Sequence, residues 1–350
     1  MNAVRMMPRD RQPVDGSTDE CPLLEIVDLA ATYPIKRSVG GLLRREPRRA
    51  VRAVDGVSLT LRKGEMVALV GESGCGKTTT AQAILRMVEP TAGAIRFKGQ
   101  DITGLAPRRL RPLRRSMQMI YQDPYESLDP RFRVGAAVEE PLVIHGIDGS
   151  KGERSRRVID ALARAGLNPP EQYLHRFPHE LSGGQRQRVA IAASIVLDPE
   201  LLVADEPVSM LDVSVRAGVL SLLGNLRRDG ELAILMITHD LSTAAHFADR
   251  IAVMYLGRIV EEGPAHAVVR DPQHPYTKAL VAAVPARDPR DHRSAQPLTG
   301  EPPDPVAIPA GCRFQPRCPV AEERCKTIDP ELQPIKGGSA PGHQAACVLV

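Results

Sequence analysis

Residues 71–78 read GESGCGKT and match the phosphate-binding loop pattern G-x-x-x-x-G-K-[ST]. Glycines let such a loop turn tightly with its N–H groups pointing inward, while Lys77 supplies a positive charge and Thr78 a hydroxyl for Mg²⁺. The preceding residues 65–70, EMVALV, are typical of a short buried strand. After the loop, helical spacing is kept by Ala81, Ile84, Leu85 and Val88. The sequence therefore predicts a strand, a loop and a helix whose positive end faces phosphates.

Eight residues of this stretch are expected to surround the nucleotide: Gly71, Ser73, Gly74, Cys75, Gly76, Lys77, Thr78 and Thr79. Cys75 leaves two interpretations open. A helix N-terminus lowers a thiol pKa, which would suit a reactive or redox-active cysteine. The simpler interpretation is a small side chain tolerated beside the nucleotide.

Residues 201–207, LLVADEP, form an apolar run that ends in two carboxylates. A strand of this kind delivers Asp205 to the Mg²⁺ side of a phosphate loop. Glu206 follows directly and is placed to polarise an attacking water. A lone Asp-Glu pair is weak support, but downstream of a phosphate loop it is a strong indication.

Residues 181–185, LSGGQ, precede a second stretch with helical spacing. Its apolar positions are Val189, Ala192, Ala193 and Val196. Ser182 and the two glycines would then lie at a helix start, which is a ready anion site. An ordinary helix cap with a Gly-Gly turn would explain the same residues.

Together, in this order, these motifs resemble the nucleotide-binding subunits of ATP-binding-cassette (ABC) transporters, over about residues 23–270. The resemblance implies that Tyr33 stacks on adenine and that Gln122 contacts Mg²⁺ and senses a membrane partner. It implies that Asp205 is the Walker B aspartate, Glu206 the catalytic base and His239 the switch histidine near the γ-phosphate. It further implies that the signature caps ATP on another subunit, through Ser182, Gly183, Gly184 and Gln185.

Two residues depart from the family pattern. Residues 209–212, SMLD, resemble the D-loop, which the resemblance places at a dimer seam, and Met210 stands there in place of the usual Ala. Thr78 stands where many relatives have Ser, and both carry the hydroxyl.

The implied fold is α/β, a P-loop NTPase ABC-type nucleotide-binding domain with an inserted helical subdomain and a Pro- and Cys-rich C-terminal extension. We predict a disordered N-terminal tail over 1–20, an ATPase domain over 21–270 with its helical subdomain at about 122–197, and a C-terminal domain over 271–350. Asp212 is predicted to cap a helix that ends near Gly230. Residues 250–255 and 258–261, separated by Gly257, are predicted to form a hairpin.

The formal net charge of +4, from 46 basic and 42 acidic residues, is too small to indicate nucleic-acid binding. No apolar run reaches about eighteen residues, and residues 1–20 hold no secretory signal. We therefore expect a peripheral protein at the cytoplasmic face of the cell membrane. A basic insert over 36–52 could contact lipid or a permease, or could be a solvated loop.

Past Ala282 the chain turns Pro-rich, as in a flexible linker up to about Ala310, and then carries Cys312, Cys318, Cys325 and Cys347. A cytoplasmic location disfavours disulfides, so free thiols or a metal or iron–sulfur site remain. Residues 271–280 and 311–319, with 121–130, resemble oligopeptide and dipeptide permease ATPases. That resemblance implies a possible 4Fe–4S cluster in addition to ATP and Mg²⁺.

The predicted function is therefore the ATP-hydrolysing subunit of a peptide importer. Its implied partners are a second ATPase subunit, identical or different, two transmembrane permeases and, indirectly, a solute-binding protein. An importer of the same group for another solute, such as nickel, is the nearest alternative. A soluble ABC ATPase of translation or DNA repair is disfavoured, because one cassette is present and no sustained heptads appear.

Overall fold

The computed structural model describes residues 21–35, 49–147, 150–284, 300–301, 303–335 and 340–350. The predicted disordered tail at 1–20 and most of the basic insert, residues 36–48, lie outside the described residues.

The strands are β1 Leu24–Pro34, β2 Ala50–Leu61, β3 Met66–Val70, β4 Ala92–Phe97, β5 Gln100–Asp101, β6 Met117–Ile120, β7 Leu201–Asp205, β8 Ala233–Thr238, β9 Arg250–Tyr255, β10 Arg258–Pro264, β11 Gln333–Pro334 and β12 Gln344–Ala345. The helices are α1 Lys77–Ile84, α2 Pro107–Ser116, α3 Pro124–Ser127, α4 Val134–Ile144, α5 Lys151–Arg164, α6 Gly183–Ile195, α7 Val213–Gly230, α8 Leu241–Phe247, α9 Ala265–Arg270 and α10 Pro275–Ala282. Short 3₁₀ turns cover Pro170–Gln172, Pro178–Glu180, Gln315–Arg317 and Glu323–Lys326. The α/β class is confirmed.

Two sheets make up the described framework. One has four antiparallel strands in the order β2-β1-β4-β5, and the other has eight in the order β11-β12-β10-β9-β3-β8-β7-β6. In the larger sheet β3 pairs in parallel with β8 and β9, and β7 pairs in parallel with β6 and β8. The carboxyl ends of β3 and β7 therefore lie at the same edge, as expected for a ligand site on a parallel sheet.

The central strands separate two hydrophobic cores. All five residues of β3 are buried; Val67 and Leu69 face the core shared with the four-stranded sheet, while Ala68 and Val70 face the core shared with the helices. This division follows from the two-residue period of a strand. It also explains why β3, β7 and β8 read as continuous apolar runs instead of alternating patterns.

Helix α1 is shorter than its apolar spacing predicts. It ends at Ile84, and Arg86 adopts a left-handed backbone with φ of 52°. A non-glycine residue in that region terminates a helix. The predicted continuation to Val88 is therefore wrong, although Leu85 still packs in the core.

Other local predictions agree more closely with the structure. Helix α7 ends at Gly230, as predicted, and has Asp212 at its N-cap position, although without a side-chain cap hydrogen bond. Strands β9 and β10 form the predicted antiparallel hairpin.

The C-terminal segment joins the larger sheet. Strand β12 pairs with β10 through Ala345 and Gln344, and β11 pairs with β12. Within the part of the chain that the structure describes, no helix combines the length and apolar character needed to cross a bilayer.

Candidate functional site: a phosphate-binding cleft

The loop over residues 71–78 lies between β3 and α1, as predicted. Gly76, the residue before α1, has φ of 107°, and a Cβ there would come within 2.0 Å of the carbonyl oxygen of Ala53. At Gly71 a Cβ would come within 2.2 Å of the carbonyl oxygen of Met254. Both contacts are shorter than the van der Waals radii allow, so only glycine, which has no side chain, fits at these two positions.

The side chain of Lys77 folds along the loop. Its Nζ donates to the carbonyl oxygens of Gly71 at 2.8 Å and Glu72 at 2.9 Å, and the side chain is buried. The ammonium group is therefore held within the loop, where a phosphate chain would be attracted to it.

Asp205 ends β7 beside this loop. It is buried, and its Oδ1 has no hydrogen-bond partner among the described residues. Burial raises the pKa of Asp205 most strongly, while the Thr78 hydroxyl, hydrogen-bonded to the carboxyl, lowers it. A buried carboxylate oxygen without a partner, next to a hydroxyl, suits Mg²⁺, which takes oxygen ligands.

Glu206 lies between two other predicted site residues. Its Oε2 accepts from Nε2 of Gln122 at 3.3 Å, and its Oε1 lies 3.3 Å from Nδ1 of His239. The backbone of Glu206 has φ of 45°, an uncommon value for a residue other than glycine. Its N–H donates to the carbonyl of Ile237 at 3.0 Å, which ties it to β8. Such strain is typical of functional positions.

Most of these groups line one cleft of about 370 Å³, but Gly71 and Asp205 are not among its lining residues. Its lining residues are Val51, Arg52, Ala53, Ser73, Gly74, Cys75, Gly76, Lys77, Thr78, Thr79, Gln122, Glu206, His239, Leu256, Gly257 and Pro305. The arrangement can bind phosphates, hold a cation and orient a water against a carboxylate.

Tyr33 does not line the cleft. It is half exposed on β1 and pairs with Val51 of β2, which does line the cleft. The sequence did not indicate the contribution of Val51, Leu256, Gly257 or Pro305. Gly257 N–H donates to the carbonyl of Cys75 at 2.8 Å, so the β9–β10 turn supports the loop.

Pro305 lies in the stretch predicted to be a linker, yet its carbonyl accepts from the N–H of Arg52 at 3.5 Å. The linker prediction is therefore too long. Nothing local in a Pro-rich segment indicates which distant strand it will contact.

The signature residues lie outside this cleft. Ser182 caps α6, accepting from the N–H of Gln185 at 3.3 Å, while its own N–H donates to Gln185 Oε1 at 3.0 Å. A Cβ at Gly184 would come within 2.4 Å of a methyl of Val215 on α7, so this glycine permits close packing. Gly183 has more room, with its nearest neighbour, a methyl of Leu211, at 3.7 Å.

Cys75 is buried inside the loop. Burial raises the pKa of its thiol, and the nearby ammonium of Lys77 only partly opposes this. A buried, protonated thiol is a poor nucleophile, so the interpretation as a small tolerated side chain is favoured over a redox role.

The four C-terminal cysteines lie near one another as free thiols. The N–H of Cys312 donates to the carbonyl of Cys325 at 2.9 Å. Burial raises the pKa of Cys312, Cys318 and Cys347, and neighbouring cysteines of the group raise each of them further. Even so, no three His, Cys, Asp or Glu side chains of the described residues stand in an arrangement that could hold a metal ion.

Comparison with known proteins agrees with the motif order. Residues 54–209 match a family profile described as "ABC transporter". Residues 260–325 match one described as "Oligopeptide/dipeptide transporter, C-terminal region".

Curated relatives match nearly the whole chain. A probable peptide ABC transporter ATP-binding protein, y4tS of Sinorhizobium fredii, is 46% identical over 91% of this chain and 88% of its own. The oligopeptide transport ATP-binding protein AppF of Bacillus subtilis is 44% identical over 93% and 97%. The dipeptide transport ATP-binding protein DppF of Escherichia coli is 42% identical over 92% and 94%.

A similar solved structure is the dimeric ATP-binding cassette MJ0796 in a post-hydrolysis state with ADP and Pi. It has a TM-score of 0.60 and 28% identity, and covers 69% of this chain and 98% of its own. The cleft, the motif order and these relatives lead to one conclusion. The chain is an ATPase that belongs to the family of ABC transporter ATP-binding proteins, in the group that carries the oligopeptide/dipeptide transporter C-terminal region.

Proposed function

We propose that the chain is the energy-coupling ATPase subunit of a peptide importer. The observation that carries this proposal is the combination, in one chain, of a cassette cleft with an oligopeptide/dipeptide C-terminal region. The names of the relatives, which refer to peptide, oligopeptide and dipeptide transport, support the same solute class. The chain would act peripherally at the cytoplasmic face of the membrane, under two permease chains. Its domains would divide as predicted, at about residue 270.

The cleft residues take the following roles in this proposal. The N–H groups of the loop and Lys77 bind the triphosphate. Thr78, Gln122 and Asp205 hold Mg²⁺, which supplies charge neutralisation at the phosphates. Glu206 orients the attacking water and accepts its proton. His239, next to the Glu206 carboxylate, contacts the γ-phosphate. Tyr33, at the neighbouring strand β1, stacks on the adenine.

The signature requires a second subunit. Ser182, Gly183, Gly184 and Gln185 do not line the chain's own cleft, and they lie at the N-terminus of α6, where the helix dipole favours an anion. In a head-to-tail pair, each signature would cap the ATP held by the other chain. A dimeric cassette such as that of MJ0796 is the corresponding arrangement in a similar protein.

The four cysteines would hold an iron–sulfur cluster with a structural role. Four cysteines in one C-terminal segment match the number and type of donors of such a cluster. Binding would require the side chains to rearrange, because they do not form a metal-holding group as they stand. Anaerobic purification with iron and sulfide analysis tests this. Cys325→Ser should lose the iron, while Cys21→Ser, at an exposed cysteine outside the group, should keep it. A colourless, iron-free wild type would refute the cluster.

The importer proposal is tested by purifying the tagged chain from detergent-solubilised native membranes. Recovery of two polytopic permeases with a second ATPase, and of a solute-binding protein that binds peptides, is the expected result. Recovery of a binding protein specific for nickel would show that the solute is nickel and not a peptide. Recovery of ribosomes or DNA-processing factors instead of membrane proteins would overturn the transport role and leave the ATPase assignment intact.

A further inference from the structure

A buried arginine of the C-terminal segment contacts the phosphate-binding loop. Arg317 donates through Nη1 to Oε2 of Glu72 at 2.8 Å and through Nη2 to Oε1 of Glu72 at 3.1 Å. Glu72 is the second residue of the loop, 245 positions earlier in the chain. The side chain of Arg317 is 6% exposed and that of Glu72 is 25% exposed, so solvent screens this two-pronged ion pair only in part.

The backbone of Glu72 is held as well. Its N–H donates to the hydroxyl of Tyr276 at 2.9 Å, and its carbonyl accepts from Nζ of Lys77 at 2.9 Å. Tyr276 is fully buried on α10, which follows the cassette in sequence. Two residues from outside the cassette motifs therefore fix one residue of the loop at its carboxylate and at its N–H.

The partners of Glu72 are themselves anchored. The ring centroid of Tyr255 lies 4.7 Å from that of Tyr276 and 5.3 Å from that of Phe314. The Arg317 guanidinium lies 6.0 Å from the centroid of the Tyr255 ring. All three aromatic side chains are buried. Arg317 thus reaches the loop from a packed cluster and not from an exposed surface.

The charge of Glu72 gives this contact a consequence for nucleotide binding. A carboxylate in a phosphate-binding loop repels a polyanion that binds there, and the repulsion acts over several ångströms where water is partly excluded. Arg317 neutralises this carboxylate and holds it through both oxygens. The loop is left with the positive charge of Lys77 and its inward N–H groups.

We propose that Arg317 is a positioning residue for the ATPase reaction, which neutralises and orients Glu72 so that the phosphate-binding loop accepts a nucleoside triphosphate. The C-terminal segment is then part of the nucleotide site and not only an appended domain. This inference rests on the proposed role of the loop over residues 71–78.

The test is a double-substitution cycle on the full chain, with Mg·ATP titrated calorimetrically and ATPase kinetics measured in parallel. Arg317→Met should weaken ATP binding about fivefold and raise KM, with kcat changed less than about twofold, as expected for one uncompensated unit charge. Adding Glu72→Gln should return the affinity to within about twofold of the wild type, because the repelling charge is gone. Arg324→Met, which breaks an ion pair with Glu322 inside the same segment, is the matched control and should change neither value.

A merely structural role for Arg317 predicts a different outcome. If its loss only loosens the C-terminal segment, the double variant should bind ATP as weakly as Arg317→Met, and the proposal fails. Unchanged affinity in Arg317→Met also overturns it. Lys77→Ala distinguishes an error in the nucleotide site from an error in the role of Arg317. If this variant still binds ATP normally, the proposed site is wrong; if it does not, only the role of Arg317 is in question.

Discussion

Glu206 Oε1 lies 3.3 Å from Nδ1 of His239, and both residues line the cleft next to the carboxyl ends of the paired strands β7 and β8. On its other side the same carboxylate accepts a hydrogen bond from Gln122. Gln122 follows β6 and His239 follows β8, so both strands that pair with β7 bring a partner to Glu206. The backbone of Glu206 itself has a positive φ of 45°.

We expect Glu206→Gln to bind ATP and to lose hydrolysis. The amide keeps the size of the side chain but cannot accept a proton from water, and a general base contributes about 10²–10⁴ in rate. The measurement is phosphate release with a parallel Mg·ATP titration. Glu200→Gln, at an exposed carboxylate paired with Lys98, is the control and should retain the wild-type rate. Retention of most of the rate in Glu206→Gln would remove this residue as the base.

Two glycines of the phosphate loop give a matched comparison of strain and space. Gly74 and Gly76 both have positive φ, at 79° and 107°, but a Cβ meets nothing within 4 Å at Gly74 and a carbonyl oxygen at 2.0 Å at Gly76. Gly74→Ala should cost about 1 kcal/mol of backbone strain and keep measurable ATP binding. Gly76→Ala should unfold at clearly lower temperature and lose ATP binding. Equal effects in melting and titration experiments would contradict the close approach of Ala53.

His274 predicts a dependence of stability on pH. Burial lowers its pKa from 6.5 to about 3, with a smaller contribution from Lys278, while Nδ1 accepts from the N–H of Tyr276. Because the unfolded chain binds the proton more readily, this contribution to stability is complete above about pH 6.5 and is lost as the pH falls toward 3. The slope from this group is at most about 1.4 kcal/mol per pH unit.

The pH dependence of stability is compared between the wild type and His274→Asn, because the Asn side-chain oxygen can still accept a hydrogen bond from the N–H of Tyr276. Denaturant unfolding at several pH values should show a shallower loss of stability in the variant than in the wild type between about pH 6.5 and 4. The variant's absolute stability will also fall, because the ring packs against Phe314. Parallel pH curves for the two proteins would show that His274 does not titrate in this way.

The sequence predicted those parts of the site that depend on local order. The strand–loop–helix around Lys77 and the buried strand that ends at Asp205 follow from apolar runs and spacing, and both are present. The end of α1 was missed because the left-handed backbone of Arg86 has no counterpart in apolar periodicity. Propensity is a weak guide where a helix ends without glycine or proline.

Long-range contacts were beyond sequence reasoning for a different reason. Neither the contact of Pro305 with β2 nor that of Arg317 with Glu72 has a local signal, because each joins segments about 250 residues apart. The Pro-rich stretch around Pro305 and the sequence around Arg317 contain no pattern that indicates whether these residues pack against the cassette. In the folded chain Pro305 lines the cleft, and Arg317 contacts the phosphate-binding loop at Glu72.

The role proposed for the signature can be separated from its role as a helix cap. Ser182 and Ser150 each form a capping box, with Gln185 on α6 and Glu153 on α5, but only Ser182 belongs to the signature. Each Ser→Ala change should therefore cost about 1 kcal/mol of stability. Ser182→Ala should bind ATP at its own cleft as the wild type does, yet show at least about tenfold less ATP-dependent pairing and hydrolysis, since the role proposed for Ser182 is to cap the nucleotide of another chain. Ser150→Ala should keep both. Light scattering with Mg·ATP and phosphate release would measure the difference, and similar losses in the two variants would mean that Ser182 acts only as a cap.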